Sequence, residues 1–142
     1  MIKKILVPVD GSNNALHALD FAIDLAKKLE AEIIVANVDI PYDLSRLKPV
    51  LKDADGKEIA SKKLTPLEEA KRFVEKAAFD QVSYRRLVDI DPAERIVAEA
   101  EKSNVDLIIM GNRGMGVLAG FFLGSVSTKV SQTAHCPVTI VK

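Results

Sequence analysis

Short apolar runs rich in β-branched residues alternate along this chain with stretches whose apolar positions recur every three or four residues. That alternation is expected of a parallel sheet covered by helices. The runs 2–9, 32–38, 81–88, 105–110 and 138–141 predict five strands. Between the first two, Ala15, Leu19, Ala22, Ala26 and Leu29 mark one face of a helix that Ser12 is placed to cap. Thr65, Pro66 and Glu68 form a capping box with proline at the first helical position, followed by the apolar series Leu67, Ala70, Val74 and Ala77. Asp91, Pro92 and Glu94 repeat the device for a third helix with Ile96, Val97 and Ala100 inward. A fourth places Val126, Val130 and Ala134 inward and ends before Pro137.

Strand then helix, four times over and closed by a strand, describes an open five-stranded parallel α/β sheet, a Rossmann-like nucleotide-binding architecture with four helices. Right-handed crossovers and a 3-2-1-4-5 strand order are expected, in one domain spanning 1–142. Ligands of such sheets sit at the carboxyl ends of strands beside the topological switch point. Asp10 follows the first strand and a glycine-rich stretch follows the fourth, so both are expected at one crevice. The segment 41–63, with prolines, Gly56 and mixed charge, is longer than most connections and is expected to be a variable flap, mobile or partly helical.

Charge narrows the partners. Twenty basic and twenty acidic residues cancel, so no global field favours nucleic acid or an anionic membrane. The opening apolar run is cut by Asp10, too early for a signal peptide, and no run of eighteen apolar residues occurs, so a soluble cytoplasmic protein is expected. The single cysteine, Cys136, precludes an internal disulfide and, before Pro137 and beside an apolar strand, reads as a buried, inert thiol rather than a reactive one. His17 and His135 are far apart in sequence and read as solvated or capping groups rather than a metal or catalytic pair.

Five of the seven glycines lie within residues 111–124, after one strand and before a helix, where close backbone approach to a phosphate is the natural chemistry. Gly111 and Gly116 have Walker A spacing, but Val117 and Leu118 follow where Lys and Ser or Thr are required. Gly114, Gly116 and Ala119 fit a dinucleotide fingerprint, but no acidic residue follows about twenty positions on. The spacing that fits is Gly111, two residues, Gly114, nine residues, then Gly124 and Ser125.

With that spacing, and with "ILVPVDGS" at 5–12, "DLIIMGNRGMG" at 106–116, "LGSVSTKV" at 123–130 and the final "CPVTIVK", the sequence resembles the universal stress protein family in its nucleotide-binding branch. The resemblance covers the chain apart from the 41–63 segment. Asn112, Asn37 and Asp91 depart from the family's commonest residues, serine, histidine and glycine respectively.

The resemblance implies an ATP site, with Mg2+ or Mn2+. In it Gly111 and Gly114 would pass beneath the ribose and phosphates, with Arg113 between them as a phosphate cation or a surface group. Gly124, Ser125, Val126 and Ser127 would open the phosphate-receiving helix with free amides and two hydroxyls. Pro8, Val9 and Asp10 would end the first strand. There Val9 would lie against adenine, and Asp10 would accept from ribose, help position the metal or cap the helix. Val38, with Asp39 beside it, would present backbone to the adenine edge, and Met110 would line the site or belong to the core. Phe121 and Phe122 read as packing or interface groups. The apolar terminal strand, 138–142, is expected at a sheet edge, and edge and resemblance together imply a homodimer formed through it.

These readings converge on a dimeric regulator in which adenine nucleotide occupancy is read by an unknown protein partner. A slow Mg-dependent ATPase and a nucleotide-free scaffold stay open. Efficient phosphoryl transfer is disfavoured by the missing Walker lysine and water-orienting group.

Overall fold

A computed structural model describes residues 1–41, 54–55, 63–112 and 123–142. The elements run β1 (Lys4–Pro8), α1 (Asn13–Leu29), β2 (Glu32–Asp39), α2 (Pro66–Lys76), β3 (Val82–Val88), α3 (Pro92–Lys102), β4 (Leu107–Gly111), α4 (Ser125–Thr133) and β5 (Val138–Val141). The sheet order is β3-β2-β1-β4-β5 and every pairing is parallel, as the alternation of runs predicts.

Two apolar layers hold the sheet. Ile5, Val7, Ile33, Val35, Leu107 and Ile109 face α1 and α2, meeting Leu19, Ile23 and Val74. Leu6, Ile34, Ala36, Ile108 and Met110 face the other way, onto Ile96, Ala100 and Val130 of α3 and α4. Period-2 alternation thus serves both faces, and each fully buried Leu or Ile contributes roughly 1.5–3 kcal/mol. The predicted inner faces are found with small shifts: Leu29, Leu67, Ala77, Val97, Val126 and Ala134 pack at the margins rather than at the centre.

Three of the four described helices are capped as their sequences dictate. Ser12 accepts from the Ala15 amide, Thr65 and Glu68 form a reciprocal capping box, and Asp91 accepts from the Glu94 amide. Asp106 ties the amino end of the sheet together, its Oδ2 accepting from the Lys3 and Lys4 amides at 2.8 and 2.9 Å. These bonds hold its carboxyl below the usual range.

The sheet is irregular at its centre. The pairing of β1 with β2 continues to Pro8, whereas that of β1 with β4 runs only from Ile5 to Leu6. The Val9 amide donates to the Ala36 carbonyl, so alternation turns the backbone of Pro8 toward β4. Proline has no N–H to continue that ladder. The two central strands therefore part at their carboxyl ends, where the chain also reverses winding direction.

Candidate functional site

The crevice between β1 and β4 is bounded by the first turns of α1 and α4. On the β1 side Val9 is buried in the α1-facing core, 4% exposed, so what it turns toward neighbours at the strand end is backbone. Its carbonyl accepts from Asn37 Nδ2 at 2.8 Å within the protein. Asp10 is exposed, and its Oδ1 accepts from the Ser12 amide at 2.9 Å. Gly11 follows with φ 86°, a left-handed turn that a side chain would strain, and this turn delivers the chain into α1. Ser12, not Asp10, is the α1 cap. The carboxylate of Asp10 thus sits at the crevice mouth, where a cation or a sugar hydroxyl is accessible to it.

On the β4 side Met110 is core, 5% exposed and packed in the α3 and α4 layer. Val38 is partly buried in the same layer, and Asp39 beside it is buried and paired with Arg86 at 2.7 Å. Gly111 lies hard against α1: a Cβ there would stand 2.9 Å from the backbone carbon and oxygen of Asn14. Its lack of a side chain is thus already required by the protein's own helix. The Asn112 amide donates to Val141 at 3.0 Å, and its carbonyl accepts from the Gly124 amide at 2.7 Å. Ser127 is buried, its Oγ 2.9 Å from the Gly111 carbonyl and 3.1 Å from that of Asn112. Its single proton is therefore committed to fastening α4 onto the end of β4. The Oδ1 of Asn112 is buried with no hydrogen-bond partner among the described residues.

The start of α4 differs from the other three. Gly124 is its N-cap, and no side chain caps it. Neither α1 nor α4 carries an acidic residue in its first turn, whereas α2 carries Glu68 and Glu69 and α3 carries Glu94. Of the two helices that border the crevice, α1 begins at the Ser12 hydroxyl cap and the Asp10 carboxylate, whereas the positive end of α4 has no side-chain cap among the described residues. Ser125 is exposed there, while Val126 turns toward the α3 layer. Such an end suits an anion. Among the described residues no cluster of three or more His, Cys, Asp or Glu could hold a metal by itself. Asp10 is a single carboxylate, which fits a cation held chiefly by phosphates and water.

The profile of the universal stress protein family matches residues 1–142. The chain belongs to that family. Universal stress protein YxiE of Bacillus subtilis is 37% identical to it over 151 residues, covering 100% of each chain. Universal stress protein MJ0531 of Methanocaldococcus jannaschii is 35% identical over 144 residues, covering 100% of this chain and 83% of that one. Among solved structures, hypothetical protein MJ0577 superposes with a TM-score of 0.74 at 31% identity, covering 100% of this chain and 96% of that one. A universal stress protein in complex with cAMP superposes with a TM-score of 0.71 at 27% identity, covering 99% and 97%.

In this universal stress protein, then, the fold brings Pro8, Val9, Asp10, Met110, Gly111, Gly124, Ser125, Val126 and Ser127 to one rim, with Val38 at the end of the neighbouring β2. Arg113 and Gly114, like Gly116, Gly120, Phe121 and Phe122, lie outside the described residues, as does most of the 41–63 segment. His17 and His135 are both exposed, and burial pushes the Cys136 thiol up, away from reactivity. No described helix is long and apolar enough to cross a membrane. A depression of about 540 Å³ lined by Lys3, Lys4, Glu30, Glu32, Asp80 and Ser83 is at the opposite, amino end of the sheet. Its mixed charges select no one ligand, and the strand-end crevice is the better site on chemical grounds.

Residue patterns alone did not assign roles to Asn37, Asn14 or Asn112. Asn37 was detectable as a polar residue inside the buried run "EIIVANVD", where an amide must find a partner. The contact of Asn14 with Gly111 joins residues 97 positions apart and leaves no local signal.

Proposed function

We propose that this universal stress protein binds ATP, with Mg2+ or Mn2+, across the β1/β4 crevice and acts in the cytoplasm as a dimeric regulator whose occupancy a partner protein reads. The observation that carries the reading is the uncapped start of α4. Among the described residues no side chain caps its first turn, and the stretch from Gly111 onward carries the G-x2-G-x9-G-S spacing. A cAMP complex of a relative supports an adenine nucleotide at this fold's site. Val38 and Asp39 end β2 at the adenine side in this reading, Gly114 and Arg113 complete the phosphate loop, and Asp10 faces the cation. The bound cation would offset phosphate charge.

Denaturing the purified protein and resolving the released small molecules by ion exchange should yield an adenine nucleotide, or the stripped protein should bind added Mg-ATP in calorimetry. A blank in both would overturn the reading.

The dimer is proposed on the asymmetry of the two sheet edges. β3 carries Arg85 and Arg86 on its exposed edge strand, while Val138, Thr139, Ile140 and Val141 of β5 are uncharged and partly exposed. Charge protects an edge from pairing, and its absence leaves β5 open to a second copy. Phe21, 47% exposed, lies seven residues beyond Asn14 on the α1 stripe that leans toward β4 and β5, away from α2. Ile108 donates to the Pro137 carbonyl and Asn112 to that of Val141, so the backbone groups of Val138 and Ile140 point outward. Ile140→Pro removes one outward donor and spares the β4 ladder. It should weaken self-association at least tenfold in sedimentation equilibrium with the fold retained by circular dichroism; an unchanged dimer would rule out pairing through β5.

A further inference from the structure

The positive end of α4 is mounted from two sides. Toward β4 it is fastened by the Gly124 amide on the Asn112 carbonyl and by the Ser127 hydroxyl. Toward α3 it is fastened by Lys129, whose Nζ contacts Asp91 Oδ2 and lies 3.3 Å from Glu94 Oε1. Asp91 has its two oxygens divided: Oδ1 caps α3 by accepting from the Glu94 amide at 3.1 Å, and Oδ2 takes the ammonium. Its own amide donates to Asp89 Oδ1 at 3.0 Å, and the Asp89 amide donates to the Asp39 carbonyl at 3.1 Å. A continuous hydrogen-bonded path therefore runs from the end of β2 through the α3 cap to α4. The lysine contact is the first cause holding the Asp91 carboxyl below its ordinary range, and the same contact raises Lys129. α4 spans nine residues and has no side-chain cap, so its aim depends on such external contacts.

We propose that Lys129 is a positioning residue of the nucleotide site: ion-paired to Asp91 and Glu94, it holds α4 so that the first-turn amides meet the phosphates. This rests on the nucleotide-binding reading. It opposes the simpler idea that Lys129 attracts phosphate directly as a free cation, and the two ideas differ in sign. Asp91→Asn keeps an acceptor for the α3 cap but discharges the closer of the two carboxylates, leaving a still-charged lysine with Glu94 alone. If Lys129 positions α4, that variant binds ATP more weakly; if Lys129 is a phosphate cation, it binds ATP more tightly.

The test measures ATP and adenosine affinities by calorimetry for the wild type, Lys129→Met, Asp91→Asn, the double variant and Lys129→Arg. Hydrogen exchange of the nucleotide-free α4 amides is followed in parallel. Expected are ATP losses of about fivefold in each single variant, the size of a well-placed partly exposed ion pair, and no further loss in the double. Adenosine affinity stays within twofold, Lys129→Arg restores ATP binding, and α4 amides exchange faster in Lys129→Met while those of α1 do not. Tighter ATP binding by Asp91→Asn, equal losses for ATP and adenosine, or unchanged α4 exchange would overturn the proposal and leave nucleotide binding standing. A wild type that binds neither ligand would overturn both.

Discussion

Gly111→Ala should destabilise this protein by about 1–3 kcal/mol before any nucleotide is added, the usual cost of forcing atoms into a packed contact. The added Cβ would stand 2.9 Å from Asn14 C and O, and 3.0 Å from Asn14 Cβ. Two of those three atoms are backbone, so no rotamer change relieves the clash. Nor can α1 retreat easily, because Ala15, Ala18, Leu19 and Ala22 in the same two turns are buried against the sheet. Trimming the neighbour should not rescue the variant either: Asn14→Ala leaves the backbone carbon and oxygen where they are. The measurement is urea denaturation of nucleotide-stripped protein, with Asn14→Ala and the double variant alongside. A single variant within about 0.5 kcal/mol of wild type, the ordinary scale of a neutral surface change, would show that α1 gives way and that the contact does not demand glycine.

That result bears on how much of the molecule is legible from residues alone. The strand order, four helices and three side-chain caps follow from periodicity and cap chemistry, because those signals are local and repeated. The ends of strands were less well placed. The run 2–9 yields β1 as Lys4–Pro8, and 105–110 yields β4 as Leu107–Gly111. Pairing decides where a strand begins and stops, and a partner strand is distant in sequence. At the site, the convergence of Asp10, Gly111 and Gly124 was legible from topology, since the switch point collects strand ends. What individual residues do there was not. Ser127 reads as an exposed hydroxyl awaiting phosphate, yet it is buried and donates to β4 carbonyls; Gly111 reads as making room for a ligand, yet α1 already fills that room. Both facts depend on contacts between elements that no spacing encodes.

Gly124→Asp should separate ligand binding from folding by moving them differently. Gly124 has φ −62° and ψ 159°, an extended conformation open to any residue, so aspartate meets no backbone strain there. Aspartate is among the preferred N-caps, and its carboxylate would accept from the first-turn amides that no side chain now caps. Stability should therefore stay within about 1 kcal/mol of wild type, the scale of an N-cap exchange. ATP binding, however, should fall about 100-fold or more, because the same amides are then occupied and a fixed negative charge faces the phosphates. Adenosine, which lacks phosphate, should lose much less. Calorimetric titration of both ligands, with a thermal melt of the nucleotide-free protein, decides the matter. ATP affinity retained within threefold would mean that phosphates do not meet the start of α4, and the proposed site would have to be abandoned. Equal losses for ATP and adenosine, with a lowered melting temperature, would instead mark Gly124 as a packing position. Only the selective loss, in a protein that still folds, is expected if this glycine is left bare so that a phosphate can act as the helix cap.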